Sequence, residues 1–145
     1  MLDIFVVQDH LHIGNERYVT VKSFNGQTRV DIRQYEKFGD KIYPTKSGVQ
    51  LCRSQFVNLL NLAKDIDNDV SEFRNKTVES FKYHIGDEVY VTATVGFPLV
   101  HIRLYYKNED MPIALPTKVG VALRFDEWNA LVNVLGKVQN LVDRM

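Results

Sequence analysis

Hydrophobic and polar residues alternate along the first third of the chain. Val30 and Ile32 fall on one face of a short segment, and Asp31 and Arg33 fall on the other. This period of two is typical of a β-strand with one buried face. An Asn-Gly pair separates the segment from an earlier apolar stretch at 18–21, and Asn-Gly favours a hairpin turn. The pattern therefore predicts two antiparallel strands joined by a tight turn.

A helix is predicted further along the chain. Residues 37–47 are interpreted as a polar connection, and residues 48–51 as a short last strand. Ser54 is then the predicted N-cap of an amphipathic helix. Apolar residues of this helix recur at spacings of three and four, at Phe56, Leu59, Leu60, Ala63 and Ile66. The first seventy or so residues thus predict several strands followed by one helix.

The same order of patterns then occurs a second time. IGNERYVTV, VDIRQY and PTKSGVQL are followed by IGDEVYVTA, VHIRLY and PTKVGVAL. Equivalent positions lie 72 residues apart for Gly14 and Gly86, Pro44 and Pro116, Gly48 and Gly120, and Phe56 and Trp128, and 70 apart for Arg33 and Arg103. The second helix has Asp126 as its predicted N-cap and an apolar stripe of Trp128, Leu131, Val132, Leu135, Val138 and Val142. Such an internal repeat decides the architecture.

The predicted fold class is α+β, with two tandem ββββα units. The first unit occupies residues 1–74, a linker 75–82, and the second unit 83–145. A unit of this size is only marginally stable alone, because it buries little apolar surface. We therefore expect the helices to pack together, so that the chain behaves as an intramolecular pseudodimer with pseudo-two-fold symmetry. Two independent units remain the alternative.

Composition and charge narrow the class of protein. The 145 residues are 45% hydrophobic and 25% charged, which is typical of a globular protein. No apolar run is long enough for a membrane span, and no signal peptide is recognised at the start, so we expect a protein of the nucleus or cytoplasm without a membrane partner. The net charge is zero, yet residues 17–53 carry eight basic and three acidic side chains. A basic block of this kind favours an anionic partner.

Other chemistry finds little support in the sequence. Asp65, Asp67 and Asp69 resemble the start of a calcium loop but lack its later glycine and glutamate. The four histidines show no metal-binding spacing, and Cys52 is the only cysteine. No phosphate-binding glycine motif or acid–base pair is recognised. The prediction is a protein with no cofactor and no enzymatic activity.

The segments IGNERYVTVKSFNGQTRVDIRQY and YPTKSGVQL, with the helix aromatic Phe56, resemble the positive cofactor four family. These proteins are transcriptional coactivators that bind single-stranded DNA. The similarity runs over residues 12–73 and, more weakly, over 83–144. It implies curved antiparallel four-stranded sheets and dimerisation through the helices, with the two repeats here taking the place of two subunits. It also implies that basic and aromatic residues hold single strands in grooves on the sheets.

The resemblance and the basic block select nine candidate nucleic-acid-binding residues. They are Lys22, Phe24, Arg29, Arg33 and Lys46 in the first repeat, and Phe97, Arg103, Tyr106 and Lys118 in the second. Cations neutralise phosphates, and aromatic rings stack on bases without reading sequence. Asn25 and Gln27 stand where the family has lysines, and Glu36 where it has an aromatic residue, which weakens the first groove.

Two hypotheses follow from the sequence. The first is a protein that binds single-stranded or melted DNA without strong sequence preference and serves transcription, replication or repair together with proteins of those processes. RNA stays open as a ligand, because stacking tolerates either sugar. The second is a protein-interaction module of the same fold that has lost most nucleic-acid binding. The short segment before the first motif would suit a virus or a reduced genome.

Overall fold

The computed structural model describes residues 5–76 and 78–145, with only the backbone described for 5–8. Its first repeat consists of β1 (Phe5–Gly14), β2 (Arg17–Phe24), β3 (Gln27–Phe38), β4 (Lys41–Cys52) and α1 (Arg53–Arg74). Its second repeat consists of β5 (Phe81–Gly86), β6 (Val89–Thr94), β7 (Phe97–Tyr106), β8 (Leu115–Leu123) and α2 (Phe125–Asp143). Each repeat forms a four-stranded antiparallel sheet in sequential strand order. The predicted α+β fold of two ββββα units is confirmed.

The predicted polar connection at 37–47 is wrong. β3 continues to Phe38, and β4 begins at Lys41 after a tight turn in which Gly39 has a φ of 62°. Backbone pairing of Glu36 with Tyr43 and of Phe38 with Lys41 holds this extension together. Its side chains are mostly exposed, so no buried face leaves a pattern in the sequence. In the second repeat the equivalent region is a true loop, because β7 ends at Tyr106 and β8 begins at Leu115.

The N-cap of each helix lies two residues before the predicted one. The N-cap of α1 is Cys52, not Ser54, and that of α2 is Arg124, not Asp126. The backbone N–H of Cys52 donates to Oε1 of Gln55 at 2.9 Å. These helix starts are therefore closed by a side chain reaching back from the first turn, which a search for a polar N-cap residue does not detect.

The start of α2 is built in the same way. The backbone N–H of Arg124 donates to Oε1 of Glu127 at 2.7 Å. Gln55 and Glu127 are equivalent positions, 72 residues apart. Both are buried, so the two side chains belong to the interior as much as to the helix ends.

The two repeats share one hydrophobic core. The sheets contribute Val19, Val21, Val30, Ile32, Val49 and Leu51 and their second-repeat counterparts, and both helices contribute their apolar stripes. The predicted stripe is buried except for Leu60 and Val132, which are half-buried. Burying this apolar surface is the main force that stabilises such a fold. The two repeats therefore pack together around this core.

Reciprocal contacts join the repeats. α1 packs against β5 and β6 of the second repeat, and α2 packs against β1 and β2 of the first. Gln55 Nε2 donates to the carbonyl of Gly86 at 3.0 Å, while Glu127 Oε2 lies 3.3 Å from Nη1 of Arg17. Equivalent helix positions thus reach equivalent turns of the opposite repeat. Within the part of the chain that the structure describes, this packing leaves the other face of each sheet free of helices.

Neither α1 nor α2 combines the length and the hydropathy that crossing a membrane requires.

Candidate nucleic-acid interface

The face of each sheet that points away from the shared core carries the polar and aromatic residues. We call these surfaces the outer faces. The first outer face comprises Tyr18, Thr20, Lys22, Arg29, Asp31, Arg33 and Tyr35, which alternate with buried core residues along β2 and β3. The second outer face comprises Tyr90, Thr92, Thr94, His101, Arg103 and Tyr105 on β6 and β7, with Thr117 and Lys118 on β8.

One arginine has the same position on both outer faces. Arg33 runs across Gly48 of the neighbouring strand so closely that a Cβ at Gly48 would lie 2.6 Å from the guanidinium carbon. A Cβ at Gly120 would lie 2.7 Å from Cγ of Arg103. Any residue other than glycine would therefore displace the arginine. The two glycines recur in the sequence because each arginine needs the space.

The guanidinium groups are also held at their ends. Arg33 Nη1 donates to the carbonyl of Thr45 at 2.8 Å, and Arg103 Nη1 donates to the carbonyl of Thr117 at 3.0 Å. Arginine presents several N–H groups in a fixed plane, so one such bond orients the rest. Arg33 directs further N–H groups to Asp31, whereas Nη2 of Arg103 lies 3.3 Å from Nδ1 of His101.

The Pro-Thr-Lys segments form matching bulges in β4 and β8. Thr45 Oγ1 donates to the carbonyl of Gln34 at 2.7 Å, and Thr117 Oγ1 donates to that of Leu104 at 2.8 Å. Each bulge lies where the strand pairing shifts register, next to the arginine. Lys46 and Lys118 follow the threonines and are exposed. A bulge of this kind re-aims the side chains beside it.

Aromatic rings lie beside each arginine. Tyr18 pairs across the strands with Arg33, and Tyr90 pairs with Arg103. Tyr90 also contacts Tyr105 at a centroid distance of 4.9 Å. Neither Tyr18 nor Tyr90 was predicted as a site residue. Two signals could have identified them: they recur 72 residues apart, and strand alternation places them on the same face of the sheet as the arginines. Burial and the nearby Glu88 carboxylate raise the pKa of Tyr90, so the phenol is neutral at pH 7.

Further rings and a cation extend the second aromatic cluster. His84 stacks on Tyr90 at 4.6 Å with an interplanar angle of 20°. Lys82 Nζ lies 4.3 Å from the Tyr90 centroid and 4.5 Å from that of Tyr105. Cations over aromatic faces are held by the ring quadrupole. The cluster therefore combines positive charge with π surfaces, the two features that a single strand needs.

The partners of the two arginines differ. Arg33 donates from Nη2 to Asp31 Oδ1 at 2.9 Å and from Nε to Oδ2 at 3.0 Å, and Asp31 is only 1% exposed. Arg103 instead places Nη2 3.3 Å from Nδ1 of His101. Burial and the Arg103 charge lower the pKa of His101, so the ring is neutral at pH 7. A cavity of about 460 Å³ opens at Arg103, and we call it the Arg103 cavity.

The predicted residues near the first hairpin lie apart from Arg33. Lys22 pairs with Arg29 across β2 and β3, and Phe24 ends β2 opposite Gln27. Arg29 donates from Nη2 to Oε1 of Gln27 at 2.7 Å. Arg29 also lines a cavity of about 660 Å³ between this hairpin and the start of α1. These cations extend the first outer face towards the hairpin.

Two predicted aromatic residues do not meet Arg103. Phe97 is 62% exposed and lines a separate, largely apolar cavity of about 540 Å³ with Phe73 and Phe125. Tyr106 is 56% exposed at the end of β7, where alternation places it on the face opposite Arg103. The aromatic residue that lines the Arg103 cavity is Tyr105. Nucleic-acid contacts at Phe97 and Tyr106 stay predictions.

Comparison with known proteins defines the class. Two segments, residues 11–62 and 88–134, match the family model described as Transcriptional Coactivator p15 (PC4). Together they cover more than half of the chain, and each falls within one ββββα repeat. The chain belongs to this family of transcriptional coactivators, which is not a class of enzymes.

Three individual relatives are also named as transcriptional coactivators. This chain is 40% identical to a proposed RNA polymerase II transcriptional coactivator of Caenorhabditis elegans over 57 residues, which are 38% of this chain and 46% of the relative. It is 34% identical to the RNA polymerase II transcriptional coactivator KIWI of Arabidopsis thaliana over 61 residues, which are 42% of this chain and 57% of the relative. A proposed coactivator of Neurospora crassa is 34% identical over 58 residues, 40% of this chain and 34% of that protein. The chain thus spans from about a third to just over half of the length of these relatives. No solved structure gives a significant match.

Proposed function

We propose that the chain binds single-stranded nucleic acid on its two outer faces, without strong sequence preference. The observation that carries this proposal is the arginine that recurs in both repeats, laid over a glycine, fixed by a threonine carbonyl and flanked by tyrosine. Both arginines lie on the outer faces and are half-buried. Single strands offer both ligands that this arrangement fits, namely phosphates and unstacked bases.

Each side chain has a distinct part in this function. Arg33, Arg103, Lys46 and Lys118 neutralise phosphates, while the aromatic clusters that contain Tyr18, Tyr90 and Tyr105 offer π surfaces to bases. Lys22, Phe24 and Arg29 extend contacts along the first hairpin, and Phe97 and Tyr106 add aromatic surface at the ends of β7. Base stacking on an aromatic side chain stabilises such complexes by about 1–3 kcal/mol per base.

The process served is transcription. The relatives are named as RNA polymerase II transcriptional coactivators, and transiently melted promoter DNA supplies single strands. DNA and transcription proteins are then the partners, and the nucleus is the expected location in a eukaryotic cell. Roles in replication or repair, RNA as the ligand and a viral source stay predictions of the sequence.

A second function, as a protein-interaction module, is favoured by one observation. Ile113, Leu115 and Tyr106, which pairs with Leu115, are large side chains that are more than half exposed near the end of β7. Together with the zero net charge, they fit a surface that meets protein and not phosphate. The first function predicts a salt-dependent affinity for an oligonucleotide, and the second predicts little or none.

The test is a fluorescence titration of a single-stranded oligonucleotide of about twenty nucleotides at several salt concentrations. The double variant Arg33→Ala/Arg103→Ala should lose affinity at least about tenfold at low salt. Its slope of log affinity against log salt should become shallower by at least about 0.7, since each phosphate contact on a single strand contributes about 0.7.

The matched control is Lys64→Ala, which removes an exposed cation from α1, away from both outer faces. It should bind as the wild type does. Duplex DNA and RNA of the same length serve as competitors. A wild-type chain that binds no oligonucleotide at low salt would refute the proposal and favour the interaction module.

A further inference from the structure

The two outer faces differ at one position beside the repeated arginine. Asp31 on β3 and His101 on β7 both lie two residues before the arginine, in segments that are otherwise alike, VDIRQY and VHIRLY. Both side chains contact the guanidinium group. One contact is an ion pair with a buried carboxylate, and the other is to a neutral ring.

Asp31 occupies the part of Arg33 that a phosphate would need. Nε and Nη2 both donate to the carboxylate, and Nη1 donates to Thr45. Bidentate arginine–carboxylate pairing uses the same fork of N–H groups as arginine–phosphate pairing. A phosphate at Arg33 would therefore compete with a buried carboxylate and be repelled by its charge.

Arg103 has no such competitor. In the described ranges 5–76 and 78–145, no carboxylate is paired with it. The Arg103 cavity is lined by His101, Lys118, Tyr105 and threonines, and by no acidic residue. Its volume of about 460 Å³ leaves room for a phosphodiester group next to the guanidinium group. The charge of Arg103 is thus available to an anion.

We propose that the two repeated arginines are not equivalent, that Arg103 makes the principal phosphate contact, and that the residue at position 31 or 101 sets this difference. The inference rests on the proposed function, since the anion is a phosphate of the single strand. Lys22 and Arg29 add charge near the first hairpin, but they do not relieve the pairing of Arg33 with Asp31. The second repeat then anchors the strand, and the first repeat extends the contact.

A pH dependence follows from the surroundings of His101. Within the Arg103 cavity, β6 contributes only threonines, β7 contributes Arg103 and Tyr105, and β8 contributes Lys118. Burial and, after it, the positive charge of Arg103 keep the free ring neutral by lowering its pKa. A bound phosphate acts in the opposite direction and favours the protonated ring. Binding therefore takes up a proton, and affinity increases as the pH falls below neutrality.

The first test compares Arg33→Ala with Arg103→Ala in the full chain, using the same oligonucleotide at low salt. Arg103→Ala should weaken binding about tenfold or more, which is about 1.4 kcal/mol. Arg33→Ala should weaken it only about twofold to threefold. Equal losses, or a larger loss for Arg33→Ala, would overturn the inference and leave the proposed function standing. A wild-type chain that does not bind overturns both.

The second test exchanges the neighbours. His101→Asp introduces the competing carboxylate and should reduce affinity to near that of Arg103→Ala. Asp31→Asn removes it from the first face, so Arg33→Ala made in that background should now cost about as much as Arg103→Ala. Thermal unfolding is measured for each variant, and if Asp31→Asn does not fold, the His101→Asp result decides alone. An unchanged affinity for a folded His101→Asp chain contradicts the inference.

The third measurement uses pH, because a merely structural role of His101 would not produce a proton linkage. The wild type should bind more tightly at about pH 5.5 than at about pH 7.5. These two values lie on either side of the ordinary pKa of histidine. His101→Asn keeps a hydrogen-bond acceptor near the position of Nδ1 but does not titrate. It should bind equally at both pH values, and a pH dependence that survives in this variant argues against His101 as its source.

Discussion

At the scale of single residues, the outer faces are organised by close packing of arginine on glycine. Gly48 and Gly120 leave no space for a Cβ, because Arg33 and Arg103 lie across them. The sequence identified both arginines through their recurrence. It could not show why the glycines recur, since a glycine that admits a neighbouring side chain has the same letter as one that admits a turn.

Replacement of these glycines should misplace the arginines. In Gly120→Ala the new Cβ pushes Arg103 out of its position, and we expect affinity for a single strand to fall about as far as in Arg103→Ala. The clash should also destabilise the fold by about 1–3 kcal/mol. Fluorescence titration and urea unfolding measure the two effects separately.

Gly136→Ala is the matched control. Gly136 lies within α2, and among the described residues no atom beyond the backbone of the helix itself would lie within 4 Å of a Cβ added there. Alanine is favoured over glycine in a helix, so this variant should gain up to about 1 kcal/mol of stability and bind normally. If Gly120→Ala bound as well as Gly136→Ala, the glycine would have no part in placing Arg103.

At the scale of elements, the sequence predicted those strands and helices in which a buried face makes apolar residues recur at a regular spacing. The paired strands around the Asn-Gly turn and both amphipathic helices follow from spacing alone. The β3–β4 extension was missed because pairing of exposed backbone leaves no alternation of apolar residues. Tyr18 and Tyr90 were missed for a related reason, since alternation places them on the outer face but does not tell a stacking ring from a solvated one.

The contact between the helices offers an element-scale prediction. Trp128 of α2 is fully buried, and its Nε1 donates to Oδ1 of Asp67 on α1 at 2.9 Å. Asp67→Ala leaves this buried donor without its partner, which should lower the free energy of unfolding by about 1–3 kcal/mol. Asp65→Ala removes an exposed carboxylate one half-turn away and should change it by less than about 0.5 kcal/mol. Equal unfolding midpoints for the two variants would count against this bond.

At the scale of the whole molecule, the repeats are joined by reciprocal contacts that differ in chemistry. Gln55 reaches Gly86 with a neutral amide, whereas Glu127 reaches Arg17 with a carboxylate that is 0% exposed. The internal repeat predicted that the helices and sheets would pack together. It did not predict the charge at this junction, because Gln and Glu both suit a reach-back helix cap.

Arg17→Ala should strongly destabilise the chain. It leaves the Glu127 carboxylate buried without its cation, and a buried charge that loses its partner typically costs about 3–5 kcal/mol. Glu127→Gln added to Arg17→Ala should recover most of this loss, because the amide oxygen still accepts from Arg124 and the charge is gone. Urea unfolding of the single and double variants measures the recovery, and a double variant as unstable as Arg17→Ala would contradict it.

The shared core has a consequence for how the two halves can change. In an assembly of two identical chains, a substitution always occurs at both symmetry-related places, so any gain at one place must be tolerated at the other. Here Asp31 and His101 occupy equivalent places, and one places a carboxylate beside its arginine while the other places a neutral ring there. Linking both halves in one polypeptide releases this constraint. The molecule keeps the packing of a symmetric pair while each half takes on its own chemistry.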